Sequence, residues 1–325
     1  MKASSSRKRK ASRLIADVGG THSRCALVVD GRMGEPNVVL NDRHSGIAEM
    51  LRSALAALAP EVPVTEAAIA VAAPVRGDSV NMTNRGWQFS VEGLRHELGL
   101  ERLDVINDFT AIALALPHID ESQRVSIGGG APLSGAAVAV LGPGTGLGVS
   151  ALIPQDGVWA PVTGEGGHVT LAAANDLEAR LIERARARFG HVSAERFVSG
   201  PGILNLHEAL ALELGVPAIA RAPKEVSARA ASGDDLARQT LDLFFAFLGT
   251  VAADAALTFG ALGGVYLAGG ILPGHRDALL ASSFRTRFES KGRYLDYLRA
   301  IPTWLVTAPQ PGLIGLQHYS PGGRR

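Results

Sequence analysis

Two glycine turns, each set between apolar runs that read as paired strands, constrain this chain more than any other feature. The first is Asp17-Val18-Gly19-Gly20-Thr21, between the apolar residues 14–16 and 25–29. The second is Gly142-Pro143-Gly144-Thr145-Gly146-Leu147-Gly148, between residues 136–141 and 148–153. Apolar runs of this length broken by glycine predict β-hairpins. The same hairpin at the head of two successive strand-and-helix series predicts an internally duplicated α/β protein.

The remaining pattern fits that class. Residues 46–59 read as an amphipathic helix, 67–73 as a buried strand, and 103–106 as a strand ahead of a helix ending near Pro117. Beyond Gly164 the chain turns mostly helical. Asn175 and Glu178 have capping-box spacing for a helix stopping near Gly190, and Pro201 suits a further helix start. A long helix is expected over 235–259, then a strand at 265–268, a helix near 276–290 and a strand at 303–307. A chain of 325 residues predicts two domains. The expected division is a disordered basic tail over 1–13, a small α/β domain over 14–118 and a large one over 119–305. The last residues, 306–325, are expected to return to the small domain as a closing helix.

Composition excludes several classes. The chain is 46% hydrophobic and 19% charged, which fits a packed globular enzyme rather than a disordered protein. Six basic residues and no acidic ones fall in the first 13 positions, leaving 26 basic against 31 acidic beyond them. That balance gives no expectation of a nucleic-acid surface. Leu14 and Ile15 lead straight into Asp17, so no apolar signal segment follows the basic run, and a cytoplasmic location is expected. The single Cys25 allows no internal disulfide. The uncharged residues 255–274 are long enough to span a bilayer, but five glycines interrupt them, and helix, turn and strand is the better reading. No membrane partner is expected.

The glycine turns suit phosphate. Glycines let backbone N–H groups approach an anion closely, and Thr21 and Thr145 each add a hydroxyl. Asp17, at a strand end, could hold Mg2+ directly or through water. A plain glycine hairpin with a capping aspartate is the competing reading. Neither turn matches a dinucleotide fingerprint or carries a Walker lysine. Asn107 and Asp108 end the strand at 103–106. A carboxylate there can take a hydroxyl proton during attack on phosphorus, and Asn107 offers a sugar both donor and acceptor. Alternatively Asp108 only caps the following helix. Glu165 and His168 bracket a glycine pair, an arrangement open to sugar hydroxyls, to zinc or to a satisfied buried histidine. Glu195, taken alone, reads as a solvated or capping charge.

Taken together, the segments LIADVGGTHSR, INDFTAIALALP, LGPGTGLG, GEGGHVTLA, GHVSAERFVSGPGILNL, VYLAGGILPG and FRTRFESKGRYLDYLRAIP closely resemble the bacterial-type glucokinase family, within the hexokinase and actin superfamily. The resemblance spans almost the whole chain. It implies a two-domain actin-like ATPase (ribonuclease H-like) fold with an active-site cleft between domains. It also implies ATP-dependent phosphorylation of D-glucose to glucose 6-phosphate, with ATP and Mg2+ as cofactors, and a homodimer. Asp108 is implied as catalytic base, with Asn84, Asn107, Asp108, Glu165, His168 and Glu195 holding glucose. Ala16, Asp17, Val18, Gly19, Gly20, Thr21, Gly144 and Thr145 are implied at the ATP phosphates, and Gly269 and Gly270 beside adenosine. His22 stands where asparagine is frequent in the family, and Pro143 where a small residue is usual. A kinase for another hexose or amino sugar is the alternative. The related ROK family usually carries a cysteine-rich zinc motif, and this chain has one cysteine.

Overall fold

The computed structural model describes residues 12–82 and 85–320, which fall in two compact units, one holding the described residues up to 118 together with 309–320, the other 119–308. The first unit opens with the hairpin β1 (Ser12–Val18) and β2 (His22–Val29), followed by β3 (Arg32–Met33), β4 (Asn37–Leu40) and α1 (Ile47–Leu58). Next come β5 (Val64–Val71), a small sheet of β6 (Val75–Arg76), β7 (Ser79–Met82) and β8 (Trp87–Ser90), then α2 (Val91–Glu97), β9 (Arg102–Asn107) and α3 (Asp108–Ala115). The main sheet runs β3-β2-β1-β5-β9, with β1, β5 and β9 parallel and β2 antiparallel to β1. Side chains alternate across β1 as strand geometry requires. Leu14, Ala16 and Val18 pack with Met50 and Leu51 of α1, while Ile15 faces the other way, toward Ala111 of α3.

The second unit contains β10 (Arg124–Gly128), β11 (Val138–Pro143), β12 (Leu147–Gln155) and β13 (Val158–Val162). Helices α4 (Asp176–Phe189), α5 (Gly200–Leu214), α6 (Pro223–Ala231) and α7 (Asp235–Phe259) follow. The chain then passes through β14 (Gly264–Leu267), α8 (Arg276–Ala281), α9 (Phe284–Glu289), α10 (Leu295–Ala300) and β15 (Thr303–Val306). Its sheet runs β10-β15-β14-β11-β12-β13, with β11, β14 and β15 mutually parallel, β10 antiparallel to β15 and β12 antiparallel to β11. The order β12-β11-β14-β15 therefore repeats β2-β1-β5-β9, so the duplication read from the hairpins extends to the sheets. Helix α7 carries Phe244, Phe245 and Phe247 into a core with Phe197, Phe284 and Phe288. Among the described residues it is the one helix long and apolar enough to cross a bilayer, and most of its apolar window is buried in the unit. Residues 255–274 comprise the end of that helix, a turn, β14 and a short bend.

The last element, α11 (Pro311–His318), belongs to the first unit, where Leu313 and Leu316 pack against Ile15, Ala68 and Ala111.

Three sequence expectations need correction. Strand β1 begins at Ser12, so Ser12 and Arg13 are not part of a tail. The Arg13 guanidinium donates to the carbonyls of Leu316, Gln317 and Tyr319 at 2.8–2.9 Å, closing the open carbonyl end of α11. The single helix expected near 276–290 is two. Ser282 Oγ donates to the Leu279 carbonyl and accepts the Phe284 N–H, replacing the helical ladder with side-chain bonds. Finally, the capping-box pair is only partly reciprocal. Asn175 accepts the Glu178 N–H at 3.0 Å, but the Glu178 carboxylate takes the Ala174 N–H and a buried ion pair with Arg287 at 2.6 Å.

Candidate active site

In the first unit the two motif sets leave the same edge of one sheet. Val18 is the register partner of Val71, and Val71 of Asn107. The turn at 19–21 and the start of α3 thus lie at the carboxyl ends of three adjacent parallel strands, about 10 Å apart at a strand spacing of roughly 5 Å. Open α/β sheets place ligands at such ends.

Asparagine 41 builds the first turn. Its buried Nδ2 donates to the carbonyl of Gly19 at 2.8 Å and of Gly20 at 3.4 Å, its backbone N–H donates to the Thr21 carbonyl at 3.0 Å, and its Oδ1 accepts Ser23 Oγ at 2.7 Å. All three turn carbonyls are held on one side. Among the described residues no protein acceptor takes the N–H of Gly20 or Thr21, which leaves both donors to a ligand. Gly19 leaves little room for a side chain, since a Cβ would lie 3.0 Å from the His22 carbonyl. Nothing in the sequence marked Asn41 or Ser23; the contacts bridge about 20 residues.

Asp17 lies on the face of β1 shared with Ile15, against the first turn of α11, where a Cβ on Gly312 would fall 2.8 Å from its Oδ2. Burial pushes its carboxyl above the usual carboxylate range, opposed by Arg24, its cross-strand partner. Its side chain makes no hydrogen bond or ion pair among the described residues. A carboxylate kept without a protein partner, beside a phosphate-sized turn, fits a cation that keeps its own waters.

Asp108 is the first residue of α3, not its cap. The cap is Asn107, whose Oδ1 accepts the N–H groups of Phe109 at 2.9 Å and Thr110 at 3.2 Å. The expectation that Asn107 offers a sugar both donor and acceptor is therefore narrowed, because its acceptor is spent on the helix and only the amide nitrogen remains, 3.4 Å from the Ala73 carbonyl. Asp108 Oδ1 accepts the Phe109 N–H at 2.9 Å, and the carboxylate is partly exposed. Asn84 lies outside the described residues.

In the second unit three motif segments converge on the turn at residues 142–149. The turn closes through the Gly144 N–H to the Gly146 carbonyl at 2.8 Å, leaving the N–H groups of Thr145 and Gly146 without a protein acceptor among the described residues. Gly269, in the left-handed region at φ 93°, backs onto it, where a Cβ would meet the Pro143 carbonyl at 2.6 Å. The Gly200 N–H donates to the Gly144 carbonyl at 2.8 Å. Glu195 accepts the Leu147 N–H at 2.8 Å, so it is neither a plain solvated charge nor a helix cap. Gly166 and Gly167 press on Val149 and Leu147, leaving no space for a Cβ at either, and the side chains of Glu165 and His168 project exposed. Among the described residues no cluster of three metal-ligating side chains occurs, so the zinc reading of Glu165 and His168 finds no third ligand. Gly270 leads to Pro273 and Gly274, which line a cavity of about 750 Å³ with Ser227, Arg238, Phe245 and His275.

The family model described as Glucokinase matches residues 14–321. The chain is 48% identical over 306 residues to a protein of Paramagnetospirillum magneticum named glucokinase, covering 93% of this chain and 95% of that one. A protein of Nitrobacter hamburgensis with the same name is 44% identical over 307 residues, covering 94% and 96%. Among solved structures, a glucokinase from an Antarctic psychrotroph has a TM-score of 0.84 at 36% identity, covering 95% of this chain and 99% of that one. A ROK family glucokinase from Streptomyces griseus, solved with glucose and AMPPNP, has a TM-score of 0.63 at 20% identity over 95% and 98%, a likeness of fold. These neighbours share the two-domain actin-like architecture. Its sequence over nearly its full length, its duplicated sheets and its paired glycine turns agree: the chain belongs to the glucokinase family.

Proposed function

We propose that this protein is an ATP:D-glucose 6-phosphotransferase acting in glycolysis. The observation that carries the chemistry is the register of Val18, Val71 and Asn107, by which one sheet edge presents both a turn with outward N–H donors and a carboxylate at a helix start. The choice of glucose rests on the family.

In this reading the 6-hydroxyl oxygen of glucose attacks the γ-phosphorus of ATP, the bond to the β-γ bridging oxygen breaks to release ADP, and the hydroxyl proton passes to the Asp108 carboxylate. The N–H groups of Gly20, Thr21, Thr145 and Gly146 bind phosphate oxygens, acting as preorganised dipoles. Asn107 donates its amide to a sugar hydroxyl, with Asn84, Glu165, His168 and Glu195 as further sugar contacts. Adenosine lies beside Gly269 and Gly270, and the cavity beyond them offers room for the base. Mg2+ neutralises charge on the phosphates when bound, and Asp17 would hold it through water. A cytoplasmic homodimer without nucleic-acid or membrane partners completes the proposal, on the strength of the family resemblance.

The test is ADP release from Mg2+ATP with glucose, mannose, fructose, N-acetylglucosamine or no sugar, together with identification of the phosphorylated product. Strong release with glucose alone and formation of glucose 6-phosphate are expected. A clear preference for another sugar would overturn the substrate and keep the reaction.

A further inference from the structure

We propose that Glu195 is a positioning residue that guards the second glycine turn, holding a negative charge against it until a sugar draws the carboxylate away. The inference rests on the reading above, in which this turn receives phosphates and Glu195 meets sugar hydroxyls.

Four observations carry it. Glu195 Oε2 accepts the Leu147 N–H at 2.8 Å, inside the segment that closes the turn. The same oxygen occupies the space that a Cβ on Gly146 would fill, so the absence of a side chain at Gly146 admits the carboxylate. The loop bearing Glu195 is fixed independently, by Ser199 Oγ donating to the Glu195 carbonyl and the Gly200 N–H donating to the Gly144 carbonyl, each at 2.8 Å. Among the described residues no lysine, arginine or histidine pairs with Glu195. An uncompensated carboxylate therefore rests on the turn whose open donors, Thr145 and Gly146, suit an anion.

Two like charges about 5 Å apart repel by an amount equivalent to roughly fivefold in affinity in a watery setting, and to more than about a hundredfold at lower effective dielectric. Sugar hydroxyls offer the carboxylate charge-assisted hydrogen bonds of its own. Once it turns to them, the Leu147 N–H is freed and the repulsion falls. Sugar and nucleotide then bind cooperatively, each favouring the other by the same factor.

The test is calorimetric titration of the wild-type protein, Glu195→Gln and Glu195→Asp with Mg2+ and the β,γ-imido analogue of ATP, with no sugar and with saturating glucose. Glutamine keeps the length and an acceptor for Leu147 but not the charge; aspartate keeps the charge but not the reach. The sugar-free arm is untouched by any loss of sugar contact. We expect sugar-free affinity to rise about fivefold or more in Glu195→Gln and by clearly less in Glu195→Asp, whose charge is kept but withdrawn from the turn. Glucose should tighten nucleotide binding in wild type and leave Glu195→Gln nearly unchanged. The guard is overturned if Glu195→Gln binds no tighter without sugar, if it retains the wild-type response to glucose, or if Glu195→Asp gains as much. Wild type that turns over glucose yet gives any of these results overturns the guard alone, whereas wild type without glucose-dependent ADP release overturns the underlying reading as well.

Discussion

Gly315 of the closing helix lies on the backbone of Ala111 in the helix headed by Asp108, so close that a Cβ at Gly315 would fall 2.7 Å from the Ala111 carbonyl carbon and 3.1 Å from the Ala115 nitrogen. One turn earlier, Gly312 gives the same close approach to Asp17. The C-terminal helix thus fixes both the helix headed by Asp108 and the Asp17 carboxylate. Gly315→Ala has to push α11 off α3, and overpacking of this kind costs about 1–3 kcal/mol. Thermal melting should fall accordingly, and turnover should fall more than the melting shift alone explains. Wild-type turnover in a destabilised variant would separate the closing helix from the site.

Asp17 should show a trade between stability and activity. Its folded carboxyl is raised by burial, so the folded state holds the proton more tightly than the unfolded chain. Stability is then lost as pH rises from the ordinary carboxylate value through the raised one. Asp17→Asn removes that loss. Without ligand, the variant should melt above wild type at neutral pH and alike at low pH, while turnover falls by about a hundredfold or more. An unchanged melting temperature at neutral pH would contradict the burial argument.

Asn41 should act on nucleotide alone. Asn41→Ala frees the Gly19 and Gly20 carbonyls and orphans Ser23, a loss of about 1–3 kcal/mol in buried hydrogen bonds. The KM for ATP should rise severalfold while the KM for glucose stays near wild type. Ser23→Ala, which leaves the amide donors in place, should have a smaller effect of the same kind. Equal rises in both KM values would point to general loosening.

The hairpin turns were legible because glycine, hydroxyl and flanking strands lie within a few adjacent residues. Asp108 was legible as a candidate base, but not the sharing of roles at the helix start, where Asn107 takes the cap. Asn41 and the bond from Leu147 to Glu195 were not legible, because each joins positions 18 to 48 residues apart that only the fold brings together. Gly312 and Gly315 carried an unused signal, since two glycines three apart in a short helix mark a close backbone approach. The break at Ser282 shows local side-chain bonds overriding an otherwise continuous helical pattern.

The most direct measurement is single-turnover phosphorylation of glucose by wild type beside Asp108→Ala and Asp108→Asn, with nucleotide affinity measured on the same preparations. A general base contributes about 10²- to 10⁴-fold, so both variants should lose at least that much rate while binding Mg2+ATP nearly as well as wild type. Turnover within a fewfold of wild type in either variant, with folding intact, would contradict the assignment of Asp108 as the base.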